Sequence, residues 1–254
     1  MSRSACFLFM VLTSAAAVAQ QIPWNPSMRQ PYSAPRVFVG LDASVGIARH
    51  DAHLQYLDEL YGIPCCTYDA GRSTPLSIGV TAEYWALPTS AVTFSVGIRS
   101  ESTRFEATPS VLPRNGLPPV TTQYVFDSQA EWLALGIGAK TRLFSSPLTI
   151  AANLGAHVRL GSGATHREVV LGPDDFYFVT DPPAKEYQLP AVGLSDISTV
   201  VLRPSLAIAY DVPLTYGYYL APSIRIETTA QSISQRYTWN STVLSVGFAF
   251  YKGL

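Results

Sequence analysis

From Val37 onward the chain alternates apolar and polar residues with a period of two. Val37, Val39, Leu41, Ala43, Val45 and Ile47 alternate with Phe38, Gly40, Asp42, Ser44 and Gly46. The same alternation returns at Leu76–Tyr84, Val92–Arg99, Leu148–Leu160, Leu202–Asp211, Tyr218–Glu227 and Val243–Phe250. A period of two places every apolar residue on one face of an extended strand, whereas a helix would need a spacing of three and four. One further strand is carried by Leu133, Leu135 and Ile137, but Tyr124 and Phe126 have the opposite parity. A bulge near Ser128–Ala130 is expected to reconcile them. Eight strands result.

The connections alternate as regularly as the residues. Leu87–Ser90, Ser145–Pro147 and Asp211–Tyr216 are short turns; Ala48–Thr74, Ser100–Gln123 and Gly161–Thr199 are long, and Thr228–Thr238 is intermediate. Short turns on one side and long loops on the other predict an all-β, eight-stranded antiparallel up-and-down transmembrane barrel, its long loops outside the cell. Aromatic residues cluster at both strand ends. Tyr84, Trp85, Phe144, Tyr210, Tyr218, Phe250 and Tyr251 lie near the short turns, and Phe105, Tyr124, Phe126, Tyr237 and Trp239 near the long loops. Two interfacial girdles are expected from them.

Composition narrows the class. Hydrophobic residues reach 48% and charged residues only 14%, against roughly 25% charged in soluble domains. No apolar run after the N-terminus approaches the roughly 20 residues of a membrane helix. Apolar residues spread one in two fit a barrel wall instead. The N-terminus reads as a secretory signal over residues 1–19, with Arg3, an apolar stretch to Val18 and an Ala17-Val18-Ala19 cleavage site. Residues 20–36, with Pro23, Pro26, Pro31 and Pro35, read as a proline-rich periplasmic leader, and 37–254 as the barrel. Losing Arg3 moves the formal charge from −1 to −2, which argues against a nucleic-acid partner. Cys65 and Cys66 remain in the mature chain, too few for a disulfide scaffold.

The segment Glu131–Lys140 and the closing Leu244–Phe250 resemble strands of the OmpA/OmpX-type small outer-membrane barrels, in the variety common in Bacteroidota-like bacteria. That resemblance implies an outer-membrane location, outer-membrane lipid as surroundings and insertion by the barrel-assembly machinery. It transfers no functional residue. The chain is also expected to lack room for the periplasmic peptidoglycan-binding domain that OmpA carries.

Motifs for chemistry are sparse. His50 and His53 could form half a metal site, but no Cys/His cluster accompanies them. Gly161-Ser162-Gly163 is not a nucleophile elbow. Asp174-Asp175 reads as a solvated turn or a cation site, and His157 as a polar plug residue or a catalytic base. Neither a cofactor site nor a metal site is assigned. The strongest signal is the polar parity itself, which carries Asp42, Glu83, Arg99, Lys140, Arg142, Arg159, Arg203, Asp211, Arg225 and Glu227. The interior of an eight-stranded barrel is just wide enough to be filled by side chains, and charges in so narrow a space must pair. Arginines outnumber acids toward the outer mouth, so loop acids such as Asp174 and Asp175, or an anion, are expected to neutralise them. The expected role is structural or a surface interaction with an extracellular ligand, not enzymatic. The alternatives are a narrow anion channel, a lipid-modifying enzyme and, last, a soluble lipocalin-like ligand carrier.

Overall fold

Alternation along the chain becomes a closed sheet in space. The computed structural model describes residues 36–57, 64–143, 146–180, 182–189, 196–215 and 217–254. The expected signal segment and leader lie outside the described residues, Arg36 apart. Twelve strands follow in order: β1 (Val37–Leu57), β2 (Pro64–Ser73), β3 (Leu76–Tyr84), β4 (Ser90–Glu106), β5 (Ser110–Arg114), β6 (Leu117–Arg142), β7 (Leu148–Gly172), β8 (Glu186–Leu189), β9 (Val200–Tyr210), β10 (Val212–Thr215), β11 (Tyr218–Thr228) and β12 (Thr238–Gly253).

Eight of them close a ring in the order β1, β3, β4, β6, β7, β9, β11, β12 and back to β1, each pair antiparallel. The seam joins the first and last strands along their length, from Phe38 opposite Gly253 to His53 opposite Thr238. The other four are extensions. Beyond Pro75, β2 carries β3 upward and pairs with β1 and β4; beyond Pro109, β5 carries β4 upward and pairs with β6. A proline offers no N–H to the ladder, so each of these long strands breaks there. β8 pairs with β7, and β10 with the base of β11.

The ring is apolar outside. Leu41, Ile78, Phe94, Leu135, Leu206 and Phe248 all stand exposed on the outer face. Between them, Ser44, Ser95, Asn153, Ser205, Ser223 and Ser245 turn inward to line an internal cavity. This polarity is the reverse of a lipocalin's and is that of a transmembrane barrel. On β4 the belt runs from Val92 to Ile98, and on β12 from Leu244 to Phe250. Strands in a bilayer need roughly 9–11 residues.

Three expectations change. The segments read as long loops are largely strand: β1 has 21 residues, β6 26 and β7 25. The wall therefore rises far above the belt on the β1–β7 side and stays low along β9 and β11, with β12 rising beside β1 as far as Thr238. Next, β6 needs no bulge, because Phe126, Ser128, Ala130 and Trp132 are all buried on one parity. What changes is the environment. Above the belt the outer face meets water, so the apolar residues move to the inner face of the same unbroken strand. The bulge lies on β7, where Glu131 and Trp132 face Gly161 and Arg159 and leave Leu160 unpaired. Finally, the upper aromatics form no girdle. Phe105, Phe126 and Trp239 are buried inside the wall, with Tyr124 and Tyr237 packed against them. At the lower end Tyr84, Tyr210 and Phe250 face outward as expected, Trp85 and Tyr251 turn inward, and Phe144 lies outside the described residues.

Candidate functional site

The lumen is built in layers, each fixed by inward positions of facing strands. The lowest is an aromatic floor of Phe38, Trp85, Tyr219 and Tyr251. Lys140 rises through it from β6, with its ammonium 5.4 Å from the centres of the Tyr219 and Tyr251 rings. It donates to Glu83 at 2.7 Å and to Asp211 at 3.1 Å. Glu83 also accepts from Trp85 Nε1 at 2.9 Å and from the Tyr219 hydroxyl at 2.5 Å. The Arg142 guanidinium lies over the Trp85 ring at 4.6 Å. Both acids are fully enclosed, so the pairing is what makes their burial tolerable.

Above the floor is an internal cavity of about 160 Å³, lined by Ser and Ala side chains together with Thr81, Thr93, Asn153, Asp42 and Arg225. Small residues line this space, and glycine lets β3 and β4 approach closely beside it: an added Cβ at Gly97 would sit 2.5 Å from the Ile78 carbonyl oxygen and 2.9 Å from the Gly79 backbone.

The cavity is roofed by a second charge layer. Arg99 donates to Glu227 at 2.5 Å, and Arg203 to the same oxygen at 3.2 Å. Arg203 also donates to Glu101 at 3.2 Å, and Arg99 lies 3.4 Å from that carboxylate. Two arginines and two glutamates thus alternate in a closed ring. Glu101 further accepts from the Ser73 hydroxyl at 3.0 Å, and Ser73 lies 2.8 Å from His50 Nε2. Trp239 Nε1 donates to His50 Nδ1 at 2.9 Å, so a neutral His50 carries its proton on Nε2. In the Ser73–His50–Glu101 cluster His50 therefore donates to Ser73 and does not accept its proton, and the Ser73 hydroxyl is directed to the Glu101 carboxylate.

Over this layer sits an aromatic and aliphatic core of Leu54, Tyr68, Phe105, Phe126, Trp132, Val201 and Trp239. Residues 196–199 before β9 and the connection from β11 to β12 pack over it. Ile197 bridges Ser234, and Ile197 and Ile233 are buried in the same core. Tyr68 meets His166 Nε2 at 2.7 Å, and the buried Cys66 thiol lies 3.7 Å from the Tyr68 hydroxyl.

All ten residues of the polar parity thus face inward, but in separate groups. Glu83, Lys140, Asp211 and Arg142 form the floor, and Arg99, Arg203 and Glu227 belong to the upper ring. Asp42 and Arg225 line the cavity, while Arg159 reaches the Ile197 carbonyl at 2.5 Å. The expected loop neutraliser is elsewhere. Asp174 is exposed and held below its usual range by a 2.7 Å hydrogen bond from Lys185. Glu101 neutralises the arginines instead. It was missed because Ser100–Gln123 reads as a loop; the parity of β4, continued one step past Arg99, would have found it. His50 and His53 do not share a face: His50 is buried inside, whereas His53 faces Asp69 on the exterior at 3.3 Å.

No family model and no curated protein matches the sequence. Solved structures do. Neisserial surface protein A is 15% identical over 84% of this chain and 95% of its own, with a TM-score of 0.32. The outer-membrane protease OmpT of Escherichia coli is 6% identical over 86% and 96%, with a TM-score of 0.36. The attachment invasion locus protein Ail of Yersinia pestis, in complex with a heparin analogue, is 9% identical over 85% and 99%, with a TM-score of 0.31.

Proposed function

We propose that this chain is an outer-membrane protein with a charge-sealed lumen, whose role is structural or a surface interaction made by the wall and loops above the membrane. The observation that carries the reading is the double seal. The floor around Lys140 and the ring of Arg99, Glu101, Arg203 and Glu227 close the cavity from both ends. A conducting pore would need a continuous water path, and the roof of buried aromatic rings above the second seal favours a plug over the anion-channel reading. The apolar belt supports residence in a bilayer, and the signal expected over residues 1–19 supports export to the outer membrane, with insertion by the barrel-assembly machinery. The elaborated, tall side of the wall supports a surface role toward an extracellular ligand. A non-enzymatic role is part of the proposal, supported by the burial of the histidines and hydroxyls that cluster inside the barrel.

Planar-bilayer recording tests this. The unmodified protein is expected to give no steady conductance, and Arg99→Ala with Arg203→Ala is expected to give a leaky or unstable barrel. A stable anion-selective current from the unmodified chain would establish the channel reading instead.

A further inference from the structure

Above the belt, the outer face of three adjacent strands carries a row of arginines. Arg49 on β1 is the cross-strand partner of Arg72 on β2, and Arg72 is that of Arg104 on β4. All three are exposed. Like charges directly opposite each other weaken a sheet, so three in register are an unfavourable arrangement unless an anion joins them. On each strand an acid lies farther from the belt: Asp51 beyond Arg49, Asp69 beyond Arg72, Glu106 beyond Arg104. Arg49 and Arg104 reach toward theirs, at 3.4 and 2.9 Å, while Asp69 turns to His53 and leaves Arg72 in the middle of the row without it. The outer surface thus passes from apolar belt to cations to anions. Arg49 lies two residues past Ile47, the last belt residue of its strand, or roughly 7 Å along it, while Arg72 lies four residues past Leu76 and Arg104 six past Ile98, so the row climbs away from the belt toward β4. The Arg49 end of the row is at the depth where a lipid headgroup meets the wall, with the Arg49 stem along the belt and its guanidinium fork at the interface, and the Arg72 and Arg104 guanidiniums stand progressively above it. The row is local. It continues into neutral Thr242 and Thr228 on β12 and β11, and on the other side into Asp127, which Arg167 holds at 3.0 Å.

We propose that Arg49, Arg72 and Arg104 form a docking surface for the phosphate groups of an anionic lipid of the outer leaflet. Guanidinium groups bind phosphate through two parallel hydrogen bonds, and the outer row of acids would repel the same anion any higher on the wall. The proposal rests on the membrane orientation given under Proposed function.

Native mass spectrometry of the barrel folded in zwitterionic detergent tests it, with bisphosphorylated lipid A, its monophosphoryl form, phosphatidylcholine and inorganic phosphate as probes. Heat-dependent gel migration reports folding separately. The unmodified barrel should retain bisphosphorylated lipid A most, the monophosphoryl form less and phosphatidylcholine least. Arg72→Gln with Arg104→Gln should reduce lipid A retention at least fivefold, while the charge-matched Lys185→Gln with Arg236→Gln should not. If the double variant does not fold, Arg72→Gln alone should give a twofold to threefold loss. Equal retention by folded variant and unmodified protein would overturn the proposal and leave the barrel reading intact. So would competition by inorganic phosphate at equal concentration, because the lipid would then be irrelevant. A chain that forms no heat-modifiable barrel at all would instead overturn the reading beneath it.

Discussion

Glu83 is enclosed by β3 and the aromatic floor, and its two oxygens collect an ammonium, an indole N–H and a phenol. Breaking one side of a buried ion pair strands the other charge, at about 3–5 kcal/mol. Lys140→Met withdraws the cation from Glu83 and Asp211 together, so it should destabilise the barrel more than Asp211→Asn, which withdraws one acceptor. Urea unfolding in phospholipid vesicles checks the order; equal effects would mean that the lysine serves only one acid. Parity alone made these residues legible as inward-facing charges. It did not make their grouping legible, because which strands face one another across the lumen depends on ring order and shear. Glu101 and His50 escaped for a different reason: each lies where the sequence stops looking like a membrane strand although the strand continues.

At the scale of the element, that continuation is the main lesson. Along β4 the outward positions are Val92, Phe94, Val96 and Ile98, then Ser100, Ser102, Arg104 and Glu106; the inward ones run from Thr93 and Ser95 to Thr103 and Phe105. The strand keeps its pleat while its solvents change places, lipid giving way to water outside and a polar cavity to an aromatic core inside. A pattern search that follows apolar residues sees the strand end and a loop begin. Hence the eight strands, their order of short turns and the belt were legible, whereas the height of the wall was not. The same reading orders three substitutions. Val96→Arg places charge against lipid and should cost about 2–4 kcal/mol. Phe105→Ala, only nine residues on, should cost about 3–5 kcal/mol as a core truncation. Ser102→Arg, between them but facing water, should stay within about 0.5 kcal/mol. Folded yield and urea midpoints in vesicles check all three. A large loss at Ser102 would place the membrane edge higher than the belt implies.

At the scale of the molecule, the tall wall and the closed lumen set what can be reached from each side. An epitope inserted at Gly116, in the turn where the backbone adopts φ 72° with open space around it, should be bound by antibody on intact cells. One inserted at Thr89, in a short turn, should be bound only after the outer membrane is breached, and the reverse result would invert the orientation. The seam has a further consequence, for the order of assembly. Trp239 enters on the last strand, yet its indole bonds to His50 on the first and packs against Phe105 on β4 at 5.2 Å. The upper core therefore cannot consolidate until the two ends of the chain have found each other. It acts as a latch that only a completed circle can set. In a variant whose sole tryptophan is Trp239, the blue shift of its emission should coincide with the appearance of the heat-resistant form and not precede it.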